Sequence, residues 1–360
     1  MQTTPIKGRG SISNRTSRYE QLQRQAFDDE WGSVVPDDNT PRPATVVSNE
    51  TAKSIISRNE SPDVPFDQSI NPYRGCEHGC IYCYARPTHA FLNHSPGLDF
   101  ETRLYAKHNA AELLRKELSR PSYVPKLIAL GANTDPYQPI ERRLRITATI
   151  LAVLHEFNHP VAITTKSASI TQDIDILARM AEKNLVRVYI SLGSLDGTIA
   201  RTLEPRASAP GARLNTLRKL SQAGIPTGVI VAPVIPALTD HDIEKILFSA
   251  QEAGARHAAY VLLRLPLEVT ELFREWLAAH HPLKEAHVMN LIKQMRGGKT
   301  YDSDFRTRMK GSGIFADLIR QRFRKACAKA GLNPERDAQL SLNTDDFCRP
   351  QPAQSQGTLF

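Results

Sequence analysis

The stretch SINPYRGCEHGCIYCYAR, residues 69–86, joins a short strand-like run to a loop that holds three cysteines within eight residues. Cys76, Cys80 and Cys83 follow the spacing C-x3-C-x2-C, with two glycines beside them. Glycine permits positive φ and a close approach of the backbone, which suits a loop wrapped around an inorganic core. A 4Fe–4S cluster ordinarily takes four cysteine ligands. A loop that offers three thiolates therefore leaves one iron open to an exogenous chelating ligand.

Zinc is the alternative metal for this loop. His78, between the first two cysteines, would complete a Cys3His ligand set. Structural zinc usually draws paired ligands from two separated hairpins or helix ends, and the sequence has no second CxxC pair. With Cys327 and Cys348 the chain has five cysteines, an odd number that argues against a disulfide framework. We therefore expect an iron–sulfur cluster on the loop and ordinary thiols elsewhere.

The chain around this loop alternates short apolar runs with amphipathic helical patterns. The predicted strands are residues 127–131, 161–165, 186–192, 227–235 and 257–263. The predicted helices are residues 110–118, 146–157, 174–183, 211–223 and 243–253. With a first strand near Ser69, this alternation makes six βα units and predicts a parallel sheet. Right-handed crossovers would curl the sheet into a partial (β/α)6 barrel, an α/β fold with its chemistry at the carboxyl ends of the strands.

Composition divides the chain into four segments. Residues 1–65 are polar and basic and are expected to form a flexible arm, with a helical stretch from Ser17 to Trp31 and a potential for polyanion contact. Residues 66–265 form the predicted barrel. Residues 266–332 turn helical and are expected to cap it. Residues 333–360 are again polar and are expected to form a second flexible tail.

Charge and hydropathy limit the classes of partner. The chain has 46 Lys and Arg against 38 Asp and Glu, a net charge of +8 that favours polyanions, although a solvated surface could carry the same excess. Hydrophobic residues make up 41% and charged residues 23%, which excludes wholesale disorder, collagen-like repeats and a coiled coil. No window approaches the roughly 20 apolar residues that a bilayer requires. We therefore expect a cytoplasmic protein without a membrane partner.

The cysteine loop, with aromatic Tyr82 just before the third cysteine, resembles that of the radical SAM superfamily. Members of that superfamily bind S-adenosylmethionine (SAM) through the open iron and cleave it to a 5′-deoxyadenosyl radical. Four later stretches resemble the spore photoproduct lyase-like branch, also called DNA repair photolyase. They are NTDPYQPIE at Asn133, TTKS at Thr164, SLGSLDGTIARTLEPR at Ser191 and AGIPTGVIVAPVIPAL at Ala223. The resemblance covers residues 69–266.

This resemblance implies roles for polar residues that follow the predicted strands. Asn133, Thr134 and Asp135 would meet the methionine amino group of SAM, Lys166 its carboxylate and Ser191 its ribose. Independently of the resemblance, each follows a predicted strand at the end where a parallel barrel places its ligands.

Four further residues and one departure complete the predicted site. Arg206 and Arg213 would hold the SAM carboxylate or an acidic substrate, with surface or helix-start arginines as the alternative. The resemblance places Tyr82 by the adenine and Tyr84 near the radical path, with a packing role as the alternative for Tyr84. Ala132 stands where the spore enzyme has the cysteine that returns a hydrogen atom. This departure argues against thymine-dimer reversal by the same route.

The sequence thus predicts a radical SAM enzyme that receives electrons from reduced flavodoxin or ferredoxin. Damaged or modified DNA is the leading substrate class. RNA, a peptide or a small molecule is the alternative, as is a non-catalytic iron–sulfur redox or binding protein. The final residues Gln356–Phe360 have the order Gln-x-x-Leu-Phe, which resembles the peptide by which bacterial repair proteins dock on the sliding clamp. Packing of Leu359 and Phe360 on this protein's own barrel is the competing interpretation.

Overall fold

The computed structural model describes residues 5–19, 43–334 and 341–350. The strands in this part of the chain are β1 (Val46–Asn49), β2 (Ile56–Arg58), β3 (Gln68–Ile70), β4 (Tyr73–Arg74), β5 (Arg103–Ala106), β6 (Ile128–Leu130), β7 (Val161–Thr165), β8 (Val186–Ser191), β9 (Thr227–Val234) and β10 (His257–Leu262). The helices are α1 (Asp99–Thr102), α2 (Ala110–Leu118), α3 (Glu141–Leu144), α4 (Ile146–Glu156), α5 (Ile174–Glu182), α6 (Gly197–Leu203), α7 (Pro210–Gln222), α8 (Ile243–Glu252), α9 (Val269–His280), α10 (Glu285–Gln294) and α11 (Ile314–Ala330). Short 3-10 helices span Arg86–Leu92, Ala168–Asp173, Asp240–Asp242 and Pro282–Lys284.

The main sheet has the order β10-β9-β8-β7-β6-β3-β2. The six strands from β3 to β10 in this order pair in parallel, and β2 adds an antiparallel edge to β3. The six predicted parallel strands are thus confirmed, in sequential order. Within the described residues no pairing joins β10 to β2, so the sheet stays open as a partial barrel. A smaller sheet has the order β1-β5-β4.

The core lies on both faces of the main sheet. Ile128, Ile163, Val188 and Val229, one from each of four adjacent strands, are fully buried. Strands buried on both faces read as near-continuous apolar runs, which explains why the sequence pattern locates them. The carboxyl ends of all six parallel strands meet at one edge of this core, where the cysteine loop also lies.

The segment after β10 only partly caps that edge. Helices α9 and α10 form a second apolar core with Ile81 of the cysteine loop and with Ile235 and Leu263, which follow β9 and β10. Helix α11 instead packs beside α8, and its Phe323 ring lies 4.7 Å from the ring of Tyr260 in β10. The predicted cap is therefore formed by α9 and α10, whereas α11 belongs to the outer helical layer because its apolar face continues the main core.

The N-terminal residues that the structure describes differ from the predicted flexible arm. Ser11 and Ile12 are buried, and the Glu101 carboxylate accepts hydrogen bonds from the backbone N–H groups of Gly10 (3.0 Å) and Ser11 (2.8 Å). Residues 43–65 contribute β1 and β2 to the two sheets. Most of the predicted helical stretch from Ser17 to Trp31 lies outside the described residues.

Two arginines of this segment form ion pairs with the body of the protein. Arg15 pairs with Glu275 at 2.6 Å, and Arg18 pairs with Glu268 at 2.9 Å. Both acids belong to or flank α9. These two guanidinium groups bind carboxylates of the body, and the polyanion contact of the arm stays a prediction.

The C-terminal residues 341–350 also lie on the body. Leu342 is buried, and the ring of Phe347 packs against Tyr123, Phe157 and His159. These residues therefore differ from the predicted flexible tail. The clamp-like peptide Gln356–Phe360 lies outside the described residues. In the described part of the chain, no helix is long and apolar enough to cross a membrane.

Candidate active site

The cysteine loop follows β3 and β4 and is shaped by two glycines with positive φ. Gly75 has φ +75° and Gly79 has φ +66°. A Cβ atom at Gly75 would lie 2.7 Å from Cδ2 of Leu104, so the backbone passes too close to its neighbours for any side chain. The backbone N–H of Cys76 donates to the carbonyl of Phe100 at 2.9 Å. The predicted need for glycine in this loop is confirmed.

A buried arginine, Arg86, fixes the backbone of the cysteine loop. The Arg86 side chain is fully buried and pairs with the carboxylate of Glu101, which is also fully buried, at 2.5 Å. The same guanidinium donates to four backbone carbonyls, those of Gly79 (3.1 Å), Cys80 (2.9 Å), Pro96 (3.1 Å) and Gly97 (2.8 Å). Five donor contacts use the full capacity of a guanidinium, so Arg86 fixes the loop in one conformation.

The three thiols suit an iron–sulfur cluster. Cys76 and Cys80 are buried and Cys83 is partly exposed. Burial raises the pKa of Cys76 well above its usual value and that of Cys80 to about 12. A bound metal stabilises the thiolate and reverses this shift. The zinc alternative is not supported, because a zinc ion needs ligands that converge on one point and the described residues hold no such group of Cys, His, Asp or Glu.

No three Cys, His, Asp or Glu side chains among the described residues converge closely enough to chelate one metal ion. A 4Fe–4S cluster does not require such convergence, since each of its irons takes one thiolate. The spread of three thiols along one loop therefore fits a polynuclear group.

Lys166, the first residue after β7, extends the site beyond the loop. Its side chain is half-buried, and its backbone N–H donates to Oδ2 of Asp135 at 2.7 Å. Burial opposes the charge, but Cys80, Glu204 and Asp135 lie near and raise the pKa of the Lys166 ammonium. Among the described residues, no carboxylate lies within ion-pair distance of this ammonium. Lys166 is thus a charged donor available to an anionic ligand.

Asp135 is occupied by the protein itself. Its Oδ1 accepts from the Thr165 hydroxyl (2.7 Å) and from the Tyr137 N–H (2.9 Å), while Oδ2 faces Lys166 and His78. Burial opposes ionisation, but these partners hold the pKa of the Asp135 carboxyl at about 2. Four contacts fill the acceptor capacity of a carboxylate. The prediction that Asp135 binds the methionine amino group is therefore not supported, because this carboxylate positions the loop after β7.

Ser191 and Arg213 come together at the end of β8. The Ser191 hydroxyl donates to the Ala232 carbonyl at 3.3 Å. The backbone carbonyl of Ser191 accepts from the Arg213 guanidinium at 2.9 Å. Arg213 is buried, donates to the Ser208 carbonyl at 2.7 Å and pairs closely with Glu204. These partners leave Arg213 a positioning residue, and the predicted direct contact of Arg213 with SAM is not supported.

Arg206 is tied to the cysteine loop. Its guanidinium pairs with Oε1 of Glu77 at 3.1 Å, and its backbone N–H donates to the His78 carbonyl at 3.2 Å. Glu77 is itself buried and accepts from the Thr45 hydroxyl at 2.8 Å. Arg206 therefore links the loop after β8 to the cysteine loop, and its charge is already compensated within the protein.

The two tyrosines of the loop face different neighbours. Tyr82 donates a short hydrogen bond to Glu204. Tyr84 is 42% exposed, donates a short hydrogen bond to the carbonyl of Ala132, and has the guanidinium of Arg264 stacked 4.8 Å from its ring centre. The Tyr84 hydroxyl thus reaches the residue that replaces the lyase cysteine.

Asn133 and Thr134 form the turn after β6 beside Ala132. The side-chain oxygen of Asn71 accepts from both of their N–H groups, at 2.8 Å and 3.3 Å, and the buried Thr134 hydroxyl donates to the Tyr73 carbonyl at 3.0 Å. The Asn133 side chain is exposed, whereas Thr134 is committed to the protein.

The family model for the radical SAM superfamily matches residues 70–250, half of the chain. The chain belongs to the radical SAM superfamily. Enzymes of this superfamily use a 4Fe–4S cluster and SAM, and they generally receive electrons from flavodoxin or ferredoxin. Because both cofactors follow from membership, the cysteine loop and Lys166 are the natural places to look for their ligands.

Uncharacterized proteins and solved structures of the superfamily are similar to this radical SAM protein. One from Mycobacterium tuberculosis is 39% identical over 221 residues, which cover 61% of this chain and 65% of that protein. One from Methanocaldococcus jannaschii is 25% identical over 231 residues, covering 64% and 82%. A spore photoproduct lyase complexed with dinucleoside spore photoproduct has a TM-score of 0.52 at 16% identity, with 79% of this chain and 80% of that one covered. At this identity the last likeness shows the fold alone.

Sequence reasoning missed three groups of this radical SAM site. Glu204 joins Tyr82 to Arg213, and Arg86 with Glu101 holds the cysteine loop. Arg264 was also missed, although it stands two residues after β10. The position after the sixth strand was the signal that could have identified it, since the other site residues follow strands in the same way.

Proposed function

We propose that this radical SAM enzyme holds its cluster on Cys76, Cys80 and Cys83 and abstracts a hydrogen atom from a nucleic acid. The observation that carries the proposal is the Lys166 ammonium, a half-buried charge beside Cys80 without a carboxylate partner among the described residues. An iron–sulfur electron carrier has no use for such a group. A SAM-binding enzyme needs one for the methionine carboxylate.

The residues of the chain divide into binding and positioning roles. Lys166 binds the SAM carboxylate, Ser191 contacts the ribose and Tyr82 lies by the adenine. Asp135 fixes the backbone of Lys166, and Arg213 fixes the Ser191 carbonyl. When bound, the cluster supplies the single electron that breaks the C5′–S bond of SAM.

Tyr84 is proposed to lie on the radical path. Its support is the hydrogen bond from the Tyr84 hydroxyl to Ala132, where the resemblance to the lyase branch places a hydrogen-donating cysteine. The 5′-deoxyadenosyl radical takes one hydrogen atom from the substrate, which leaves 5′-deoxyadenosine and an unpaired electron on the substrate. The phenolic O–H of Tyr84 lies beside the position that the resemblance assigns to the thiol.

The nucleic-acid substrate is supported by the net charge of +8 and by the exposed mouth of the site around Tyr84. Damaged or modified DNA remains the leading class, and the lyase-like specificity belongs to the same proposal. We further propose a cytoplasmic location and reduced flavodoxin or ferredoxin as the donor. Docking of Gln356–Phe360 on the sliding clamp stays a prediction.

Lys166→Gln should leave the cluster intact and weaken SAM binding. The loss of one hydrogen bond to a charged group is worth about 1.5 to 3 kcal/mol, or roughly 10- to 100-fold in Kd. The measurement is SAM binding to anaerobically reconstituted protein by equilibrium dialysis, with visible absorption reporting the cluster. Lys116→Gln, which removes an exposed lysine on α2, outside the site, is the control. Unchanged affinity in Lys166→Gln would show that the pocket is misassigned.

Reductive cleavage tests the enzymatic role directly. Reconstituted protein given dithionite and SAM should form 5′-deoxyadenosine, and deuterated DNA or RNA should transfer deuterium into that product. Absence of 5′-deoxyadenosine would contradict the enzymatic proposal. Its formation without deuterium from either nucleic acid would contradict only the substrate class.

A further inference from the structure

The mouth of the site is walled by a polar loop, residues 296–311, here called the mouth loop. The carbonyl of Met309 accepts from the backbone N–H of Leu262 at 2.9 Å, and the buried Arg296 donates to the carbonyls of Leu263 (2.9 Å) and Thr307 (2.8 Å). The loop is thus fastened to the carboxyl end of β10, the open edge of the partial barrel. It stands beside Tyr84.

Two arginines of the mouth loop pair with carboxylates. Arg308 binds both carboxylate oxygens of Asp63, at 2.5 and 2.6 Å, and Arg306 pairs with Asp304 at 2.8 Å. The charges of both guanidinium groups are therefore already compensated by carboxylates.

Arg264, two residues after β10, differs from these two arginines. Among the described residues its guanidinium has no ion pair, and its Nε is buried without a hydrogen-bond partner. Its terminal nitrogens reach only a methionine sulfur, Sδ of Met309 at 3.7 Å, and the Tyr301 hydroxyl at 3.4 Å. A guanidinium carries five donors in a rigid fork that matches an oxyanion. Leaving such donors buried and unsatisfied is costly unless a ligand completes them.

The charged groups around Arg264 favour the binding of an anion at this position. Burial, and the neighbouring charge of Arg264, lower the pKa of Arg296. Two guanidinium groups thus lie close together, and the nearby Asp63 is already bound by Arg308. The guanidinium of Arg264 lies over the ring of Tyr84 and therefore beside the proposed radical path.

The charged surface continues away from this point. A groove of about 580 Å³ between β10 and α11 is lined by Lys310, Arg320 and Arg324 together with apolar and aromatic side chains such as Tyr260 and Phe323, and Arg320 also pairs with Asp317 at 2.7 Å. Lys310 follows Met309, so the groove begins where the mouth loop meets Arg264. Exposed aromatic side chains flank the mouth, with Phe305 45% exposed in addition to Tyr84. A basic groove with interleaved aromatic rings is the arrangement by which proteins bind single-stranded nucleic acids.

We propose that Arg264 binds a backbone phosphate of a single-stranded nucleic acid segment and so positions the reacting nucleotide at Tyr84. The proposal rests on the proposed function and names the binding residue of that same site. The mouth loop and the groove by α11 carry the neighbouring phosphates.

The test is binding of a short fluorescein-labelled oligothymidylate to the reconstituted full chain with SAM present, followed by anisotropy over a series of salt concentrations. Arg264→Gln should raise the Kd about 10-fold or more, since it removes a charged hydrogen-bonding group. It should also make the slope of log K against log salt shallower by about 0.7, the share of one phosphate in a single strand. Arg264→Lys, which keeps the charge without the fork, should restore the slope and only part of the affinity.

Controls separate this proposal from the proposed function. Arg115→Gln removes one exposed charge on α2, distant in the fold, and should bind like the wild type. A methylphosphonate oligothymidylate, which has the bases without the charges, should bind weakly, and polyglutamate should compete poorly. Equal binding by Arg264→Gln and wild type, tight binding of the methylphosphonate strand, or effective competition by polyglutamate would each overturn the inference. If the wild type forms 5′-deoxyadenosine yet binds no oligonucleotide, the inference falls and the enzymatic role stands. Retained visible absorption and an unchanged Tm show that the variants are folded.

Discussion

At the scale of single residues, the site is built mainly from charges that the protein satisfies internally. Asp135, Glu204 and Arg213 all carry partners supplied by other loops. A buried charge without a partner is strongly destabilising, so these residues fix positions more than they bind ligands. Lys166 and Arg264 have no ion pair within the described residues, and these are the two side chains to which we assign ligands.

Single-residue replacement of the loop cysteines should abolish the cluster. Cys76→Ala, Cys80→Ala or Cys83→Ala leaves two thiolates for a group that needs at least three, so visible absorption and bound iron should be lost after anaerobic reconstitution. Cys327 lies in α11 and Cys348 is exposed, both outside the loop. The Cys327→Ala, Cys348→Ala double variant should keep the full iron content; loss of iron from it would show that the ligand assignment is wrong.

Removal of the arginine beneath the loop should destabilise the whole protein. Arg86→Ala leaves the buried Glu101 carboxylate without its cation and four carbonyls without a donor. Breaking a buried pair from one side costs about 3 to 5 kcal/mol. The measurement is the urea midpoint of the cluster-free protein. Arg115→Ala breaks the exposed pair with Glu156 and should cost no more than about 1 kcal/mol. Equal effects of the two replacements would mean that Arg86 does not hold the loop.

At the scale of elements, the N-terminal segment is part of the cysteine loop's support. A Cβ atom at Gly10 would lie 1.8 Å from the carbonyl oxygen of Gly79. The Glu101 carboxylate binds both the backbone of this segment and the guanidinium of Arg86. The segment therefore lies directly against the cysteine loop at Gly79.

Gly10→Val should displace this segment and expose the loop. We expect the reconstituted cluster to bleach several-fold faster in air than in the wild type, measured as the decay of visible absorption. Gly211→Ala, at a glycine in α7 with open space around its Cβ position, should bleach at the wild-type rate. A wild-type rate in Gly10→Val would show that the segment does not shield the loop.

The elements also show how far sequence reasoning reaches. The six parallel strands were predictable because each is a short run next to helical patterns. The site residues were predictable because they come directly after these strands in the sequence. Docking of residues 9–12 was not, since backbone N–H groups bind Glu101 and no side-chain periodicity records such a contact. The partners of Asp135 and Arg213 were hidden for a similar reason, because they come from loops distant in sequence.

At the scale of the whole molecule, both described terminal segments are fastened to the body. Phe347 packs on the ring of His159, whose Nε2 lies 2.7 Å from the Tyr123 hydroxyl. Burial lowers the pKa of His159 to about 4. This buried imidazole couples the stability of the fold to pH.

Stability should fall as the pH decreases from about 6.5 to about 4, the interval between the ordinary pKa of histidine and that of His159. In this interval His159 is protonated in the unfolded chain but neutral in the folded protein. This one group therefore lowers the free energy of unfolding by about 1.4 kcal/mol for each pH unit. The His159→Gln variant should show a shallower fall of the urea midpoint between pH 7 and pH 5. Val153→Ala, a buried apolar change without titration, should shift the midpoint equally at both pH values. An unchanged slope in His159→Gln would contradict the assignment.

The sequential order of the main sheet has a consequence for biosynthesis. The cysteines follow the first parallel strand, whereas Lys166, Glu204 and Arg213, which enclose them, follow strands that the ribosome makes later. At the usual rate of translation, on the order of ten seconds pass between synthesis of the three cysteines and synthesis of the residues that enclose them. Iron delivered during that interval would meet an unfinished pocket, so we expect loading only after these later residues have been made and can enclose the metal.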